Sequence, residues 1–570
     1  MPEGEALCYN WRQATWGKQG ARSAYWFCGS TSPIIAASRS GDRVVKVVTV
    51  QQMRDIEKQA AEMGVSWEIL MENAGLAVAR EVESWVGSVA GRPILVLVGP
   101  GNNGGDGLVA ARHLHDWGAD VHLFLLKPRP ESDRNFQLVR QRDMHIMVAG
   151  EPGSMADLEG LVPSLDIAID ALFGTGRARP LEGDAQYVLA RLREAKAKNS
   201  ALQIVALDLP SGLDADTGAV DSACLPADLT VTLGYPKHGL YLFPGAATLG
   251  KLVVAGIGIP PRLAEDVVTE TVTPEGVRPL LPQRPPDANK GTFGRVMVAG
   301  GSVNYIGAVY LACTAAIRVG TGLVTLATAR SLQPVMASKL TEVTYAPLPE
   351  AEPGIVAADA AETLRSQLAD YSVLLLGCGL GRTPSATQFV QSTLFSTPDL
   401  PALVIDADGL NILATIPQWW ERLAPDAVLT PHPGEMSRLT GLSVQEIQSN
   451  RMQVAAEAAA RWHKTVILKG AYTLVAAPDG RVRVNPSANP GLASAGTGDV
   501  LAGAIAGLAA QGLSPFDAAV AGVFLHGQAG EVVRRQIGDA GMIASDLLDV
   551  LPVIIKRIKE GGSGLESVGS

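Results

Sequence analysis

Short, almost unbroken runs of Val, Ile and Leu, separated from one another by stretches of helical spacing, constrain this chain more than any other feature. The first set is Ile94–Val98, Val121–Leu126, Ile167–Leu172, Ile204–Leu209, Leu229–Leu233 and Leu252–Ile257, after helical spacing over Val50–Met63 and Ser66–Trp85. The second is Arg295–Val298, Leu323–Ala327, Val373–Leu376, Leu403–Ile405, Ala427–Leu429 and Val466–Leu468. A strand covered by helices on both faces loses the alternation of a half-exposed strand and reads as a continuous apolar run. The pattern therefore predicts two doubly wound, three-layer α/β domains, each with its own sheet.

Between the two sets, Thr273 to Asn289 carries Pro274, Pro279, Pro282, Pro285 and Pro286 among scattered charges, and sustains neither period. This gives an extension at residues 1–44, a first domain at 45–272, a linker at 273–289 and a second domain at 290–560. A Gly- and Ser-rich tail, expected to be flexible, occupies 561–570. No internal repeat relates the halves.

A net charge of −10 argues against a protein that lives on nucleic-acid backbones. It leaves room for one anionic ligand, which helix N-termini and backbone amides hold without net positive charge. The cysteines Cys8, Cys28, Cys224, Cys313 and Cys378 are scattered and never spaced as CxxC, so reduced thiols in a cytoplasmic protein are expected, without structural zinc. The most apolar segment, Val500 to Leu513, is mostly Ala and Gly and stops at Ser514-Pro515, as a buried helix would. No membrane association is expected. Residues 1–44, with Trp11, Trp16 and Trp26 among polar neighbours, show no targeting pattern.

In the first domain, the strand ending at Val98 runs into Gly99-Pro-Gly101-Asn102-Asn103-Gly104-Gly105-Asp106-Gly107 and then a helix. Gly99-x-Gly101-x-x-Gly104 satisfies the Rossmann-like dinucleotide fingerprint in its strand–turn–helix setting. Its filling is unusual: two Asn and an Asp offer amide carbonyls and a carboxylate to a ligand or a hard cation. Further polar clusters end other strands: Asp170 to Arg177, Asp208-Leu-Pro-Ser211-Gly212, and Tyr235-Pro-Lys237-His238. Ligands of open α/β sheets collect beyond the carboxyl ends of strands, so these loops are expected to converge. Alternatively, each merely turns the chain and caps a helix.

Leu70-Met-Glu-Asn-Ala-Gly75, Asn102 to Gly107, Asp170 to Gly176 and Asp208 to Gly212 resemble the NAD(P)H-hydrate epimerase family over residues 45–260. The resemblance implies that Asn102, Asn103, Gly104, Gly105 and Asp106, with Gly174, Thr175, Gly176, Arg177, Ala178, Arg179 and Pro180, line the hydrate site. It implies that Asn103, Asp170 and Ser211 hold K⁺ and that Asp208 is the acid/base, with Lys237 a candidate assistant. The implied substrate is a reduced nicotinamide with water added at ring carbon 6, whose epimers interconvert by water loss or by ring opening.

In the second domain the sharpest signal is Asn489-Pro-Gly491 through Gly496-Thr497-Gly498-Asp499, opening a helix of small residues. Free amides and the helix dipole at such a start form an anion hole. Asp499 would stand beside it, placed to take a proton from a hydroxyl attacking a phosphoryl group. Lys469 to Thr473, Gly300-Gly-Ser302, Gly377-Cys378-Gly379-Leu380-Gly381 and Thr430-Pro-His432-Pro-Gly434-Glu435 end other strands. No P-loop and no protein-kinase motif is present.

Lys290 to Gly294, Gly300 to Ser302, Asp406-Ala-Asp408-Gly-Leu-Asn411, His432 to Glu435 and Asn489 to Asp499 resemble the ribokinase-like ADP/ATP-dependent NAD(P)H-hydrate dehydratases, over residues 278–558. Where that family has GPGLG, this chain has Cys378 in place of Pro. The resemblance implies hydrate contacts from Ala308, Gly379, Gly381, His432 and Asp499. It implies nucleotide contacts from Lys469, Gly470, Ala471, Tyr472, Thr473 and Gly498. ADP or ATP with Mg²⁺ would phosphorylate the 6-hydroxyl, and loss of phosphate would restore NADH or NADPH. A homo-oligomer is expected. The competing readings are a vitamin or sugar kinase with a non-catalytic first domain, an NAD-dependent dehydrogenase, and a protein-binding first domain.

Overall fold

The computed structural model describes residues 44–176, 180–396, 399–423 and 427–562. After β1 (Val44–Lys46), the first sheet takes β2 (Pro93–Val98), β3 (Asp120–Leu125), β4 (His145–Val148), β5 (Ile167–Ala171), β6 (Gln203–Leu207), β7 (Leu229–Leu233) and β8 (Lys251–Ala255). Their order is β4-β3-β2-β5-β6-β7-β8, every pair parallel. The chain steps outward one way from β2 and then the other way from β5. The C-terminal ends of β2 and β5 therefore flank the topological switch point, where such sheets hold ligands.

The second sheet gathers β9 (Thr269–Val272), β10 (Arg295–Ala299), β11 (Leu323–Ala329), β12 (Thr344–Leu348), β15 (Val373–Leu376), β16 (Ala402–Ile405), β17 (Ala427–Leu429), β18 (Thr465–Leu468), β19 (Leu474–Ala476) and β20 (Val482–Val484). A small hairpin, β13 (Glu350–Glu352) and β14 (Ile355–Val356), stands apart. The order is β1-β9-β20-β19-β18-β17-β16-β15-β10-β11-β12. It is parallel from β12 to β18, then antiparallel through β19 and β20. Its switch point lies between β10 and β15.

The α/β class and the central runs agree with the sequence pattern, but the domain boundaries do not separate the sheets. β1 and β9, which flank the first lobe at the expected limits of 45 and 272, are strands of the second sheet. Glu270 of β9 is 7% exposed yet pairs with Lys46 of β1 and Arg483 of β20, both at 2.7 Å. A buried carboxylate between two cations is satisfied by charge, so the segment lacks the apolar signature of a core strand.

The expected linker is docked. Pro274–Val277 is a helical turn capped by Thr273, with Val277 and Leu281 buried. Arg278 Nε donates to the Ile558 carbonyl at 2.7 Å. Among the described residues no helix is long and apolar enough to cross a membrane. Cys224, Cys313 and Cys378 are free and buried, whereas Cys8 and Cys28 lie outside the described residues, as does nearly all of the 1–44 extension and most of the 561–570 tail.

Candidate active sites

A cavity of about 520 Å³ opens at the switch point of the first sheet. Asn102, Asn103, Asp106, Gly174, Thr175, Gly176, Asp208 and Lys237 all line it, so the four polar clusters do converge. The β2 loop needs its glycines for contact distance. A side chain at Gly99 would stand 1.7 Å from the Leu172 carbonyl oxygen, and one at Gly104 would stand 2.0 Å from that of Gly99. Gly104 packs on the Gly99 backbone and Gly105 on the Met71 side chain, so that neither of them lines the cavity, and Pro180 does not line it either. Arg177, Ala178 and Arg179 lie outside the described residues. The helix Asn102–Asp116 begins at this loop without a side-chain cap, leaving its first amides free for an anion.

Asp208 is the most constrained group of the cavity. It ends β6 with φ +67°, a conformation costly for a residue with a side chain. Its Oδ1 accepts from Thr232 Oγ1 and the Leu233 amide, both at 3.1 Å, and from the ammonium of Lys237, which is 1% exposed. Asp106 carries a carboxyl pushed well above its usual range, first by burial and then by the charges of Asp208 and Glu57. Glu57 is raised by burial too, opposed by Lys237. The first cavity thus holds an anchored Asp208–Lys237 ion pair facing carboxyl groups that retain protons more readily than usual.

Asp170 and Ser211 bond each other, Ser211 takes the Phe173 amide, and Asn103 packs against the next residue, Gly174. Asp170 Oδ2 accepts the Ser211 amide at 2.8 Å and Oδ1 accepts the Ser211 hydroxyl at 2.7 Å. Burial still raises the Asp170 carboxyl above its ordinary value. The Asn103 amide lies against Gly174 and leaves its buried nitrogen without a partner. The oxygens of Asp170, Ser211 and the Asn103 carbonyl are hard donors of the kind a monovalent cation takes, whereas the unpaired Asn103 nitrogen is a donor and has no part in such a site.

Glu57 and Arg54 escaped the sequence reading. Both project from the helix Val50–Glu62 into the cavity, and Arg54 donates to the Thr175 carbonyl at 3.0 Å. Polar residues on one face of an amphipathic helix read as solvated, so no local signal marked them. Arg129, whose Nη1 donates to the Gly99 and Gly101 carbonyls, braces the β2 loop from outside any motif.

A second cavity, of about 620 Å³, opens between the ends of β10, β15 and β16. Ala308, Gly379, Gly381 and Asp499 line it with Ser302, Tyr305, Arg382 and Asp408. Ser302 Oγ donates to the Gly379 carbonyl at 2.8 Å, and Asp408 Oδ2 accepts the Gly381 amide at 2.8 Å, fixing the glycine turn. Ala407 between the two acidic residues has φ +50°.

Asp499, in the first turn of the helix Thr497–Ala510, meets a buried charge cluster. Lys469 Nζ lies 2.7 Å from Asp406 Oδ1 and 3.6 Å from Glu435 Oε2. Burial opposes the Lys469 charge, but Asp406 and Glu435 outweigh it and hold the ammonium above its ordinary value. The Asp499 carboxyl is pushed up to about 6 by burial and by Asp406, with Lys469 working the other way. A carboxylate poised there accepts a proton at neutral pH and is a stronger base than an ordinary Asp.

His432 and Lys469 to Thr473 do not line this cavity. His432 caps the helix Pro433–Thr440, its Nδ1 accepting the Gly434 amide at 2.9 Å and the Glu435 amide at 3.3 Å. That fixes the tautomer, leaving Nε2–H on the half-exposed face of the ring. Burial and Lys469 lower its pKa, so the ring is neutral at pH 7. The Lys469–Thr473 turn is held by Arg451, which donates to the Leu468 and Lys469 carbonyls.

Tyr472, expected at the nucleotide, is 2% exposed and directs its ring at Tyr241 of the first lobe, 5.4 Å between centroids. Its side chain therefore packs the lobes together, and any ligand contact it makes comes from the backbone. Gly498 stands beside Lys469 Nζ, so the helix start and the Lys469 turn do meet.

Comparison with known proteins bears on both halves. The family described as YjeF-related protein N-terminus matches residues 67–239, and the NAD(P)H-hydrate dehydratase family matches residues 296–553. A bifunctional NAD(P)H-hydrate repair enzyme of Moorella thermoacetica is 42% identical over 523 residues, spanning 90% of this chain and 97% of that protein. The corresponding enzyme of Escherichia coli K12 is 35% identical, spanning 88% of this chain and 92% of its own length. Among solved structures, an ADP/ATP-dependent NAD(P)H-hydrate dehydratase of Bacillus subtilis, co-crystallised with ATP and Mg²⁺, is 33% identical. It covers 50% of this chain and 97% of that one, with a TM-score of 0.43.

Proposed function

Because the chain belongs to the family of bifunctional NAD(P)H-hydrate repair enzymes, we propose that its two cavities divide the epimerase and dehydratase work between them. The protein is an enzyme of nicotinamide repair, acting on NAD(P)H hydrates as epimerase and dehydratase. The first cavity is assigned the epimerisation and the second the dehydration, driven by ADP or ATP. The observation that carries the second assignment is Asp499, at a helix start and beside the Asp406–Lys469 pair.

In the first cavity Asp208 shuttles the proton that lets the carbon–oxygen or ring bond at carbon 6 break and reform, with Lys237 fixing its carboxylate. Asp106, whose carboxyl is raised by burial, stands in the same cavity to exchange a proton with the substrate's hydroxyl. Asn103, Asp170 and Ser211 would hold K⁺, whose charge would offset the buried Asp170 carboxylate and stiffen the loops around the substrate.

In the second cavity the amides at the start of the helix Thr497–Ala510 take the nucleotide's transferable phosphate. Mg²⁺ would enter only as the counter-ion of the nucleotide's phosphates, neutralising their charge. Asp499 removes the proton from the hydrate's 6-hydroxyl as that oxygen attacks phosphorus, and AMP or ADP leaves. The ring nitrogen then expels phosphate from carbon 6, and loss of a proton from carbon 5 restores the double bond. Phosphate is a far better leaving group than hydroxide, which explains why a phosphoryl-transfer site serves a dehydratase.

The test follows reduced-nicotinamide absorbance after mixing the protein with both NADH-hydrate epimers, Mg²⁺, K⁺ and either nucleotide. Full recovery with release of inorganic phosphate is expected. Recovery of one epimer alone would remove the epimerase assignment. A stable phosphorylated product would favour a kinase instead.

A further inference from the structure

The turn that closes the second cavity carries a thiol where the resembling family carries Pro, and the structure sets that thiol beside two carboxylates. Cys378 is fully buried. Its Sγ and one carboxylate oxygen each from Asp406 and Asp499 lie within 4.8 Å of one another. The thiol therefore sits directly beside the Asp499 carboxylate. The backbone at this point is rigid on both sides. Gly377 has φ +120° and Gly379 has φ +62°, and the Cys378 carbonyl accepts the Gly301 amide at 2.9 Å.

Building on the dehydratase reading of this cavity, we propose that Cys378 is a positioning residue for Asp499, its S–H donating to the carboxylate that takes the substrate's proton. Burial, reinforced by the charges of Asp499 and Asp406, holds the thiol well above its ordinary value, so it remains a donor across the working pH range. The hydrogen bond does two things. It engages one oxygen of Asp499 and leaves the other for the hydroxyl, and it favours the ionised carboxylate.

The surrounding charges are balanced finely enough for one bond to matter. Asp406 and Asp408 raise the Asp499 carboxyl, whereas Lys469 and the Cys378 thiol lower it. Behind Asp499, His526 Nε2–H donates to the Thr497 carbonyl at 2.9 Å, and burial holds the ring neutral, contributing no charge. Glu435 faces Lys469 and not Asp499 directly. A Pro at position 378 would fill the turn without a donor, so the thiol adds a contact that the turn's shape does not require.

The experiment compares the pH profiles of nucleotide-driven dehydration for the full-length wild-type chain, Cys378→Ala and Cys378→Ser, with epimerisation measured on the same samples. Losing the donor is expected to move the acid limb of kcat/KM upward by about half a pH unit in Cys378→Ala, roughly threefold slower below the limb and converging above it. Cys378→Ser, which keeps an O–H donor, is expected to restore the wild-type limb.

Superposable profiles for wild type and Cys378→Ala would overturn the proposal. So would an equal loss in both variants at every pH with epimerisation intact, which would mark Cys378 as turn packing only. Absence of dehydration in the wild-type chain itself would instead overturn the reading of the cavity.

Discussion

At the scale of single residues, backbone strain points to the same places as side-chain chemistry. Among the described residues, five positions other than Gly have positive φ, and two of them, Asp208 and Ala407, line the two cavities. Strain of roughly 1–3 kcal/mol per position persists where surrounding contacts enforce it, as the three acceptor bonds at Asp208 Oδ1 do. Asp208→Asn keeps the shape but cannot pair with Lys237 as a carboxylate or move a proton. Epimerisation is expected to fall by about 10²–10⁴, with dehydration of the directly usable epimer retained, as a coupled assay on the separated epimers would read.

Asp499→Asn is expected to give the converse, abolishing nucleotide-driven dehydration and sparing epimerisation. The pH dependence follows from the raised carboxyl. Asp499 acts as a base, so only its ionised form is productive, and with its pKa pushed up to about 6 the rate falls as pH drops through that value. Dehydration at pH 5 is expected to be about tenfold below its plateau. A profile flat from pH 5 to 8 would remove Asp499 from the proton transfer.

At the scale of elements, the helix Thr497–Ala510 shows what its small residues are for. It crosses the helix Ile306–Arg318 so closely that a side chain at Gly503 would stand 2.1 Å from the Ala312 carbonyl oxygen. Backbone cannot yield as a flexible side chain can, so the helices must part. Gly503→Ala is expected to cost about 2 kcal/mol despite the better helix propensity of Ala, and to weaken dehydration by moving Asp499, which rides on the same helix. Thermal melting together with both activities checks this.

That helix was legible in the sequence, as were the central strands, because burial on both faces writes itself as an uninterrupted apolar run. The polar loops were legible for a different reason. Asn102 and Asn103 open the helix after β2, Asp170 stands at the end of β5 and Asp208 follows β6, where a purely structural turn has no need of them. What the sequence hid was chemistry satisfied by distant partners. Glu57 and Arg54 look like solvent-facing helix residues until they are found lining the cavity. Tyr472 looks like part of a ligand turn until Tyr241 is packed against it. β19 and β20 are three-residue strands, below the length at which periodicity speaks.

At the scale of the whole molecule, the first lobe is an insertion between two strands of the second sheet. β1 and β9 pair antiparallel, and β9 continues onto β20, which would otherwise be an open edge. From β1 the chain passes at once into the first lobe, where the amide of Val48 donates to the Pro236 carbonyl, beside Lys237. A single buried apolar cluster holds Leu209, Leu240 and Tyr241 of the first lobe with Tyr472, Leu474 and Val484 of the second.

Glu270 is where this join is most exposed to a single change. It takes Lys46 from one side and Arg483 from the other, and all three side chains are mostly buried. Removing the carboxylate leaves two cations facing each other in a poorly solvated seam. Glu270→Ala is expected to destabilise the protein by about 3 kcal/mol. Because the seam belongs to both lobes, the loss is expected to lower one shared unfolding transition and not to split off the second lobe alone. Calorimetry of the wild type and the variant, with both activities followed through the melt, checks this. Two separated transitions in the wild type would show that the shared sheet does not couple the lobes.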